Sequence, residues 1–461
     1  MKKMKKIFAL LIAMVMVLGM STSVFAATTV TINPGNPNSD SADPTYTYYV
    51  MMKASVGESG TAYYVETQAL ATALDGLTAG ENSADLFTVT KASGADRWNV
   101  VINKNGEVAF TGEEVAAALA TIKSSAIATG TATNNQISLD YDGYILIESS
   151  LGTKLVVDTV TTKEINEKNT YPSLTKTEST TNAEIGGTVT YTIPVVIPET
   201  VAEKPIVVTD IISKGLTLNT AITADNSVTG LTWTLDSTDT TTQAKTYKVT
   251  IPAATVKALA GKTLTLTYTA TINELAVVNQ AETNKAHLGY DNFTSVDTQP
   301  TEIKTFGFDL QKTDGTSALA GVKFTLQNSA NEYYTEPSDE ESVDEDRFVT
   351  TKYEVTTPAD GKITFAGLAA GTYVLTETET VTGFNLLTGP ITVTVAEDGS
   401  VTFSGDGQTA NGTTVTVVNK TGAELPSTGG MGTTIFYIIG AILVIGAGVV
   451  LVTRRRMNAN K

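Results

Sequence analysis

Val189 to Val196 reads VTYTIPVV and Leu264 to Ile272 reads LTLTYTATI, so apolar residues alternate with Thr at a period of two. That period puts every apolar side chain on one face of a β-strand, and no helix can satisfy it. Ile206 to Asp210 and Lys245 to Ile251 continue the pattern, with turn signals at Gly186-Gly187 and Lys214-Gly215. Short, evenly spaced, Thr- and Val-rich strands across residues 170–302 predict an immunoglobulin-like β-sandwich. Residues 303–421 repeat the theme. Strands are expected at Phe306 to Lys312, Lys323 to Gln327, Lys362 to Phe365, Gly371 to Thr378, Ile391 to Val395 and Thr413 to Asn419.

Upstream the pattern is mixed. Residues 27–45 hold three prolines and read as a short strand followed by a loop. Tyr46 to Ala54, Ala62 to Val65 and Tyr144 to Ile147 read as strands. Thr67 to Leu77 and Glu113 to Lys123 carry apolar residues at i, i+3 and i+4 and read as helices, with Thr111 or Gly112 as cap of the second. An α+β domain is therefore expected to end near residue 165. The predicted fold class is mainly β: tandem immunoglobulin-like sandwich domains in a rod, an N-terminal domain with some helix, and a C-terminal transmembrane helix.

The 461 residues are too many for one core and imply about three domains. The chain has no cysteine. That removes disulfides, thiolate-ligated zinc and thiol catalysis together. The formal charge is −17, and eight of the 31 basic residues lie in the two terminal segments, so the body is more acidic still. Such a body is ill suited to binding nucleic acid through its phosphates. Glu332 to Arg347 is an acidic insertion that reads as a solvated loop. Calcium there stays open, although the spacing is not that of an EF-hand, and no metal site is expected elsewhere.

The two ends carry addresses. Lys2, Lys3, Lys5 and Lys6 precede an apolar stretch from Ile7 to Met20, and Val24-Phe25-Ala26 offers small residues for cleavage, so 1–26 reads as a signal peptide. At the other end Leu425-Pro426-Ser427-Thr428-Gly429 is followed by an apolar run from Thr433 to Val452 and by Arg454, Arg455 and Arg456. The run would be about 30 Å long as a helix, enough to cross a bilayer, and the arginines would hold the tail in the cytoplasm. Pentapeptide, span and basic stop in this order resemble a sortase sorting signal of Gram-positive surface proteins. The resemblance implies that a sortase thiolate attacks the Thr428 carbonyl, Gly429 leaves with the tail, and an amine resolves the acyl-enzyme. That amine belongs either to cell-wall peptidoglycan or to a lysine of another subunit. Membrane contact is then transient, through the C-terminal helix alone.

Three segments, Phe308-Asp309-Leu310-Gln311-Lys312, Tyr373 to Thr378 with Gly383-Phe384, and Val415-Thr416-Val417-Val418-Asn419, resemble the collagen-adhesin B-type domain in the family's order. The resemblance implies an amide between Lys312 and Asn419, assisted by Glu377. Glu379, two residues on, is expected to share that face and competes with it. Thr170 to Thr177, Val207-Val208-Thr209-Asp210 with Gly215-Leu216, and Asn284 to Tyr290 resemble the fimbrial isopeptide-formation domain of pilins. This implies Lys176, Asp210 and Asn284 as a second trio, with Asn279 as competitor to Asn284. Tyr46 to Ala54, Asp142-Gly143-Tyr144 and Ser149 to Gly152 are similar to the pilins' N-terminal domain. The implied domains are 1–26 signal peptide, 27–168 N-terminal pilin domain, 169–302 fimbrial isopeptide-formation domain, 303–421 collagen-adhesin B-type domain, 422–432 sorting region, 433–453 transmembrane helix and 454–461 basic tail.

The trios make chemical sense. Amide formation needs a neutral amine. Burial lowers a lysine pKa and raises a carboxyl pKa, so the acid can hold a proton, polarise the carboxamide and move protons as ammonia leaves. Strand pairing supplies the effective concentration, and no cofactor is called for.

The leading expectation is a structural protein, the shaft subunit of a sortase-assembled pilus, which would not be an enzyme beyond one internal turnover per domain. A wall-anchored adhesin that never polymerises is the alternative, and a host surface ligand stays open. A hydrolase is the weakest option, because His287 is the sole histidine and lacks a Ser-Asp set. Lys168 is the candidate amine for Thr428 of the next subunit, with Lys163 and Lys104 as rivals. In shaft pilins that lysine lies in a tyrosine-proline-lysine motif; here Tyr171-Pro172 is followed by Ser173.

Overall fold

The computed structural model describes residues 27–422 apart from 39, 59, 80–83, 106–107, 168 and 337–345, together with 437–445, 447 and 450. The chain packs into two compact units. Among the described residues, the first comprises those up to Thr180, Thr188–Thr271 and Glu282–Glu302; the second comprises Thr181–Gly187, Ile272–Ala281 and those from Ile303 onward.

The first unit begins with an α+β arrangement. Tyr46–Gly57 lies inside a seven-stranded sheet, flanked by Gly143–Ser149 and Gly60–Val65. This sheet has two apolar faces. Met51, Met52 and Leu146 pack with Leu70, Leu74, Val115 and Leu119 of two helices. Tyr46, Val50, Ile145 and Ile147 pack with Val30, Ile32 and Ile137 of a small sheet. In that small sheet Thr28–Asn33 runs antiparallel to Gln136–Leu139 and parallel to Glu164–Asn166. The helices span Gln68–Asp75 and Gly112–Thr121, close to the predicted ranges. Thr67 caps the first. Thr111, not Gly112, caps the second, in a reciprocal capping box with Glu114.

The same unit then forms two facing six-stranded sheets. One is built on Thr188–Val196 paired antiparallel with Thr263–Ile272. The other is built on Ile206–Ile212 between Lys245–Ile251 and Ala281–Tyr290. Every second residue of Thr188–Val196 and Thr263–Ile272 is buried, as the Thr alternation requires.

The second unit is a sandwich of a four-stranded and a seven-stranded sheet around Phe306, Phe308, Leu310, Phe324, Phe365, Leu375, Val393 and Val415. Its first long strand, Phe306–Thr313, runs antiparallel to Lys362–Leu368 and parallel to its last strand, Thr414–Val418. The segments Thr181–Gly187 and Ile272–Ala281 join this unit by backbone bonds. Ile185 donates to Gly367 at 3.0 Å, Arg347 to Ile185 at 3.1 Å and Asn279 to Thr305 at 2.8 Å. Arg347 is buried, and its Nη2 donates to both carboxylate oxygens of Glu274.

Candidate functional site

Each sandwich buries one lysine amine beside a carboxyl and a carboxamide. In the first unit Lys176 precedes Thr177–Glu178, a short strand paired with Thr188–Val196. Asp210 and Asn284 stand on the facing sheet. Asp210 is opposite Ala286 and Ile212 is opposite Asn284, so the two side chains are diagonal neighbours on one inner face. The lysine therefore reaches across the core from one sheet to the other. All three residues are buried, Asp210 and Asn284 completely.

Lys176 Nζ donates to Asn284 Oδ1 at 2.6 Å, to Tyr268 Oη at 2.6 Å and to Asp210 Oδ2. Tyr268 Oη donates to Asp210 Oδ2 at 2.7 Å, and Asn284 Nδ2 donates to Tyr268 Oη at 3.0 Å. The amine also lies over the Tyr191 and Tyr268 rings, 5.1 and 5.3 Å from their centroids. Loss of solvation pushes the amine down to about 8, against the pull of Asp210. The same loss of solvation raises the Asp210 carboxyl, against Lys176. Both shifts favour an uncharged amine beside a protonated acid.

In the second unit Lys312 is fully buried on the first strand, opposite Val417 of the last. Its Nζ donates to the Val417 carbonyl at 3.2 Å and lies 4.0 Å from Glu377 Oε1. Asn419 follows the last strand and is 1% exposed. Its Nδ2 donates to Glu377 Oε1 at 2.5 Å and to Thr380 Oγ1 at 2.7 Å, while its Oδ1 is buried without a partner. Glu377 is held by the Leu387 amide, which donates to Oε2 at 3.0 Å. Loss of solvation pushes the Lys312 amine down to about 8, against the opposing charge of Glu377.

The structure separates the two glutamates that alternation put on one face. A bulge makes Phe324 the partner of Glu377 and Lys323 the partner of Glu379. Glu379 turns outward and accepts from Lys323 Nζ at 2.6 Å. Asn279, the competitor of Asn284, is an exposed residue at φ 61°.

Lys168 and the sorting motif Leu425 to Gly429 lie outside the described residues, as do the signal peptide, 337–345 of the acidic insertion and much of 433–452. Among the described residues no helix is long and apolar enough to cross a membrane. Lys163 Nζ is engaged by Asp142 Oδ1 at 2.6 Å, by Thr28 Oγ1 and by the Thr159 carbonyl. His287 Nδ1 lies 2.8 Å from Asp297 Oδ1, and Asp297 also pairs with Lys285.

Sequence reading missed Tyr268. Alternation placed Tyr191 and Tyr268 inward, where an aromatic reads as packing. A phenol inside a run of Leu and Thr was the only signal for its hydrogen-bonding role.

Residues 307–409 match the family model of the SpaA prealbumin-like fold domain, and residues 417–459 match the LPXTG cell wall anchor motif. No curated protein matches the chain. Solved structures with similarity include the T6 backbone pilin of serotype M6 Streptococcus pyogenes (13% identity, 87% of this chain and 100% of that one, TM-score 0.47). The full-length RrgB pilus protein from Streptococcus pneumoniae is another (12%, 89% and 100%, TM-score 0.46). The group B streptococcus pilus 2b backbone protein is a third (23%, 55% and 99%, TM-score 0.38). The chain is thus a Gram-positive cell-surface protein with a SpaA-type prealbumin-like domain immediately ahead of a sortase-type LPXTG wall anchor.

Proposed function

We propose that the chain is the repeating shaft subunit of a sortase-assembled pilus, toughened by two internal Lys–Asn amides, Lys176–Asn284 and Lys312–Asn419. The observation that carries this reading is the pair of buried amine, carboxyl and carboxamide clusters, one per sandwich, in a chain that ends in a wall-anchor motif. In each, the uncharged amine attacks the carboxamide carbon, the carboxyl beside it polarises the carboxamide, and the nitrogen leaves as ammonia with the proton the amine gives up. The reaction occurs once per domain and needs no cofactor. It also offers a reason for the absent cysteines: the amide ties an early strand to a late one and cannot be reduced.

In this reading Thr428 is transferred to Lys168 of the next subunit, or to peptidoglycan for the last one. The membrane is met only by the C-terminal span before cleavage. Wall extract run on a denaturing gel tests the assembly. A ladder of heavy species that collapses to anchored monomer in Lys168→Arg is the expected result. An unchanged ladder moves the acceptor role to another lysine.

A second reading, a wall-anchored adhesin that presents a face to a host ligand without polymerising, has one observation in its favour. Ser173 stands after Tyr171-Pro172 where shaft pilins carry the linking lysine. A single band from wild-type wall extract selects it.

A further inference from the structure

Tyr268 Oη touches every polar group of the buried cluster in the first unit. It is 2.6 Å from Lys176 Nζ, 3.0 Å from Asn284 Nδ2 and 2.7 Å from Asp210 Oδ2. Two of these contacts are the two nitrogens that exchange places during amide formation. Resting on the reading that this amide forms, we propose that Tyr268 is a catalytic residue, whose hydroxyl relays the proton from the attacking amine to the departing one.

The balance is simple. Nζ of the neutral lysine bonds to Asn284 Cγ, and the Cγ–Nδ2 bond breaks. Nζ must lose one proton and Nδ2 must gain one to leave as ammonia. The hydroxyl bridges both nitrogens and rests with its own proton on Asp210 Oδ2; it can turn that proton to Nδ2 as it accepts the one from Nζ, and ends unchanged. Asp210 then keeps the role of polarising and charge-stabilising acid. The phenol is buried and stays protonated, since loss of solvation and the adjacent Asp210 raise it well above its ordinary value. It therefore holds one proton throughout and passes one on only as it receives another.

The neighbouring tyrosine supplies an internal control. Tyr191 is the cross-strand partner of Tyr268, with ring centroids 5.4 Å apart, and is equally close to the lysine amine. Its hydroxyl is buried but makes no hydrogen bond to the lysine amine or to Asp210. The two rings share the packing around the amine, and only Tyr268 has a hydroxyl in contact with both the amine and the acid. Trp233 meets Tyr268 edge-on at 5.2 Å, so Phe in its place keeps the aromatic packing.

The test is the rate of ammonia loss. The full chain is made by cell-free synthesis, quenched in denaturant at intervals and weighed by mass spectrometry. We expect Tyr268→Phe to slow ammonia loss assigned to Lys176–Asn284 at least about tenfold, and far more than Tyr191→Phe does. A ring-fluorinated tyrosine at 268, which keeps shape and hydroxyl but is more acidic, should change the rate of ammonia loss at fixed pH, whether or not the Phe variant folds. Equal rates for the two Phe variants, or an unchanged rate with the fluorinated ring, overturn the relay while leaving the amide intact. A wild-type chain that never loses this ammonia overturns the bond itself, and the relay with it.

Discussion

Lys312 and Val417 are register partners on parallel strands, and the buried Lys312 amine donates to the Val417 carbonyl at 3.2 Å. These are the first long strand and the last strand of the second unit, so an amide from Lys312 to Asn419, two residues beyond Val417, would close almost the whole sandwich into a loop. The first unit would be closed over a similar stretch, since Lys176 and Asn284 are 108 residues apart.

Loops of that size imply about 4–5 kcal/mol of stabilisation through the unfolded chain. Glu377→Ala and Asp210→Ala should each keep one ammonia, unfold at lower temperature and become sensitive to protease. Intact mass and thermal unfolding measured on the same samples check this. A variant that keeps the ammonia without losing stability contradicts the mechanical account.

Glu379→Ala should behave as wild type in mass and nearly so in stability. Its carboxylate pairs with the partly exposed Lys323, an ion pair of the kind worth about 0–1 kcal/mol. If Glu379→Ala retained an ammonia and Glu377→Ala did not, the assignment of the acid would be reversed.

Bond formation should speed up as pH rises toward about 8, because burial pushes both lysine amines down to about that value and only the neutral amine attacks. A related effect should appear in stability. In Asn419→Ala, Lys312 stays unbonded. Its amine is lowered in the folded state and ordinary, near 10.5, in the unfolded state. Between about pH 8 and 10.5 the unfolded chain binds more protons, so stability should rise with pH across that window and be flat in this contribution below it. Denaturant melts of Asn419→Ala from pH 7 to 10.5, set against wild type, give the sign. A fall in stability relative to wild type over that range contradicts the buried, depressed amine.

Glu274→Ala should destabilise the second unit by about 3–5 kcal/mol, since it leaves the buried Arg347 guanidinium without its carboxylate. Thermal unfolding shows the loss. An unchanged transition would mean that Ile272–Ala281 is not an integral part of this unit.

Much of this was legible in the chain. Period-two alternation located Lys245–Ile251, Lys323–Gln327 and Ile391–Val395 to the residue. Thr111 was one of two candidate caps, and the capping box with Glu114 decided between them. The short edge strands Val401–Ser404 and Gln408–Asn411 went unread, because most of their residues face solvent and carry no apolar period. The membership of Thr181–Gly187 and Ile272–Ala281 in the second unit rests on long-range pairings, such as Arg347 with Glu274, that no local pattern encodes. Alternation alone also failed to separate Glu377 from Glu379, since it does not reveal a bulge. Tyr268 was hidden for a different reason: its ring packs as an ordinary core aromatic, and only its tip is polar.

The most direct measurement is the intact mass of the protein released from the wall. Monomer so released should weigh two ammonia molecules less than residues 27–428 plus the attached wall peptide, with the two losses mapping by peptide cross-link to Lys176–Asn284 and Lys312–Asn419. A mass equal to that of the unmodified sequence, with both lysines recovered in linear peptides, would contradict it.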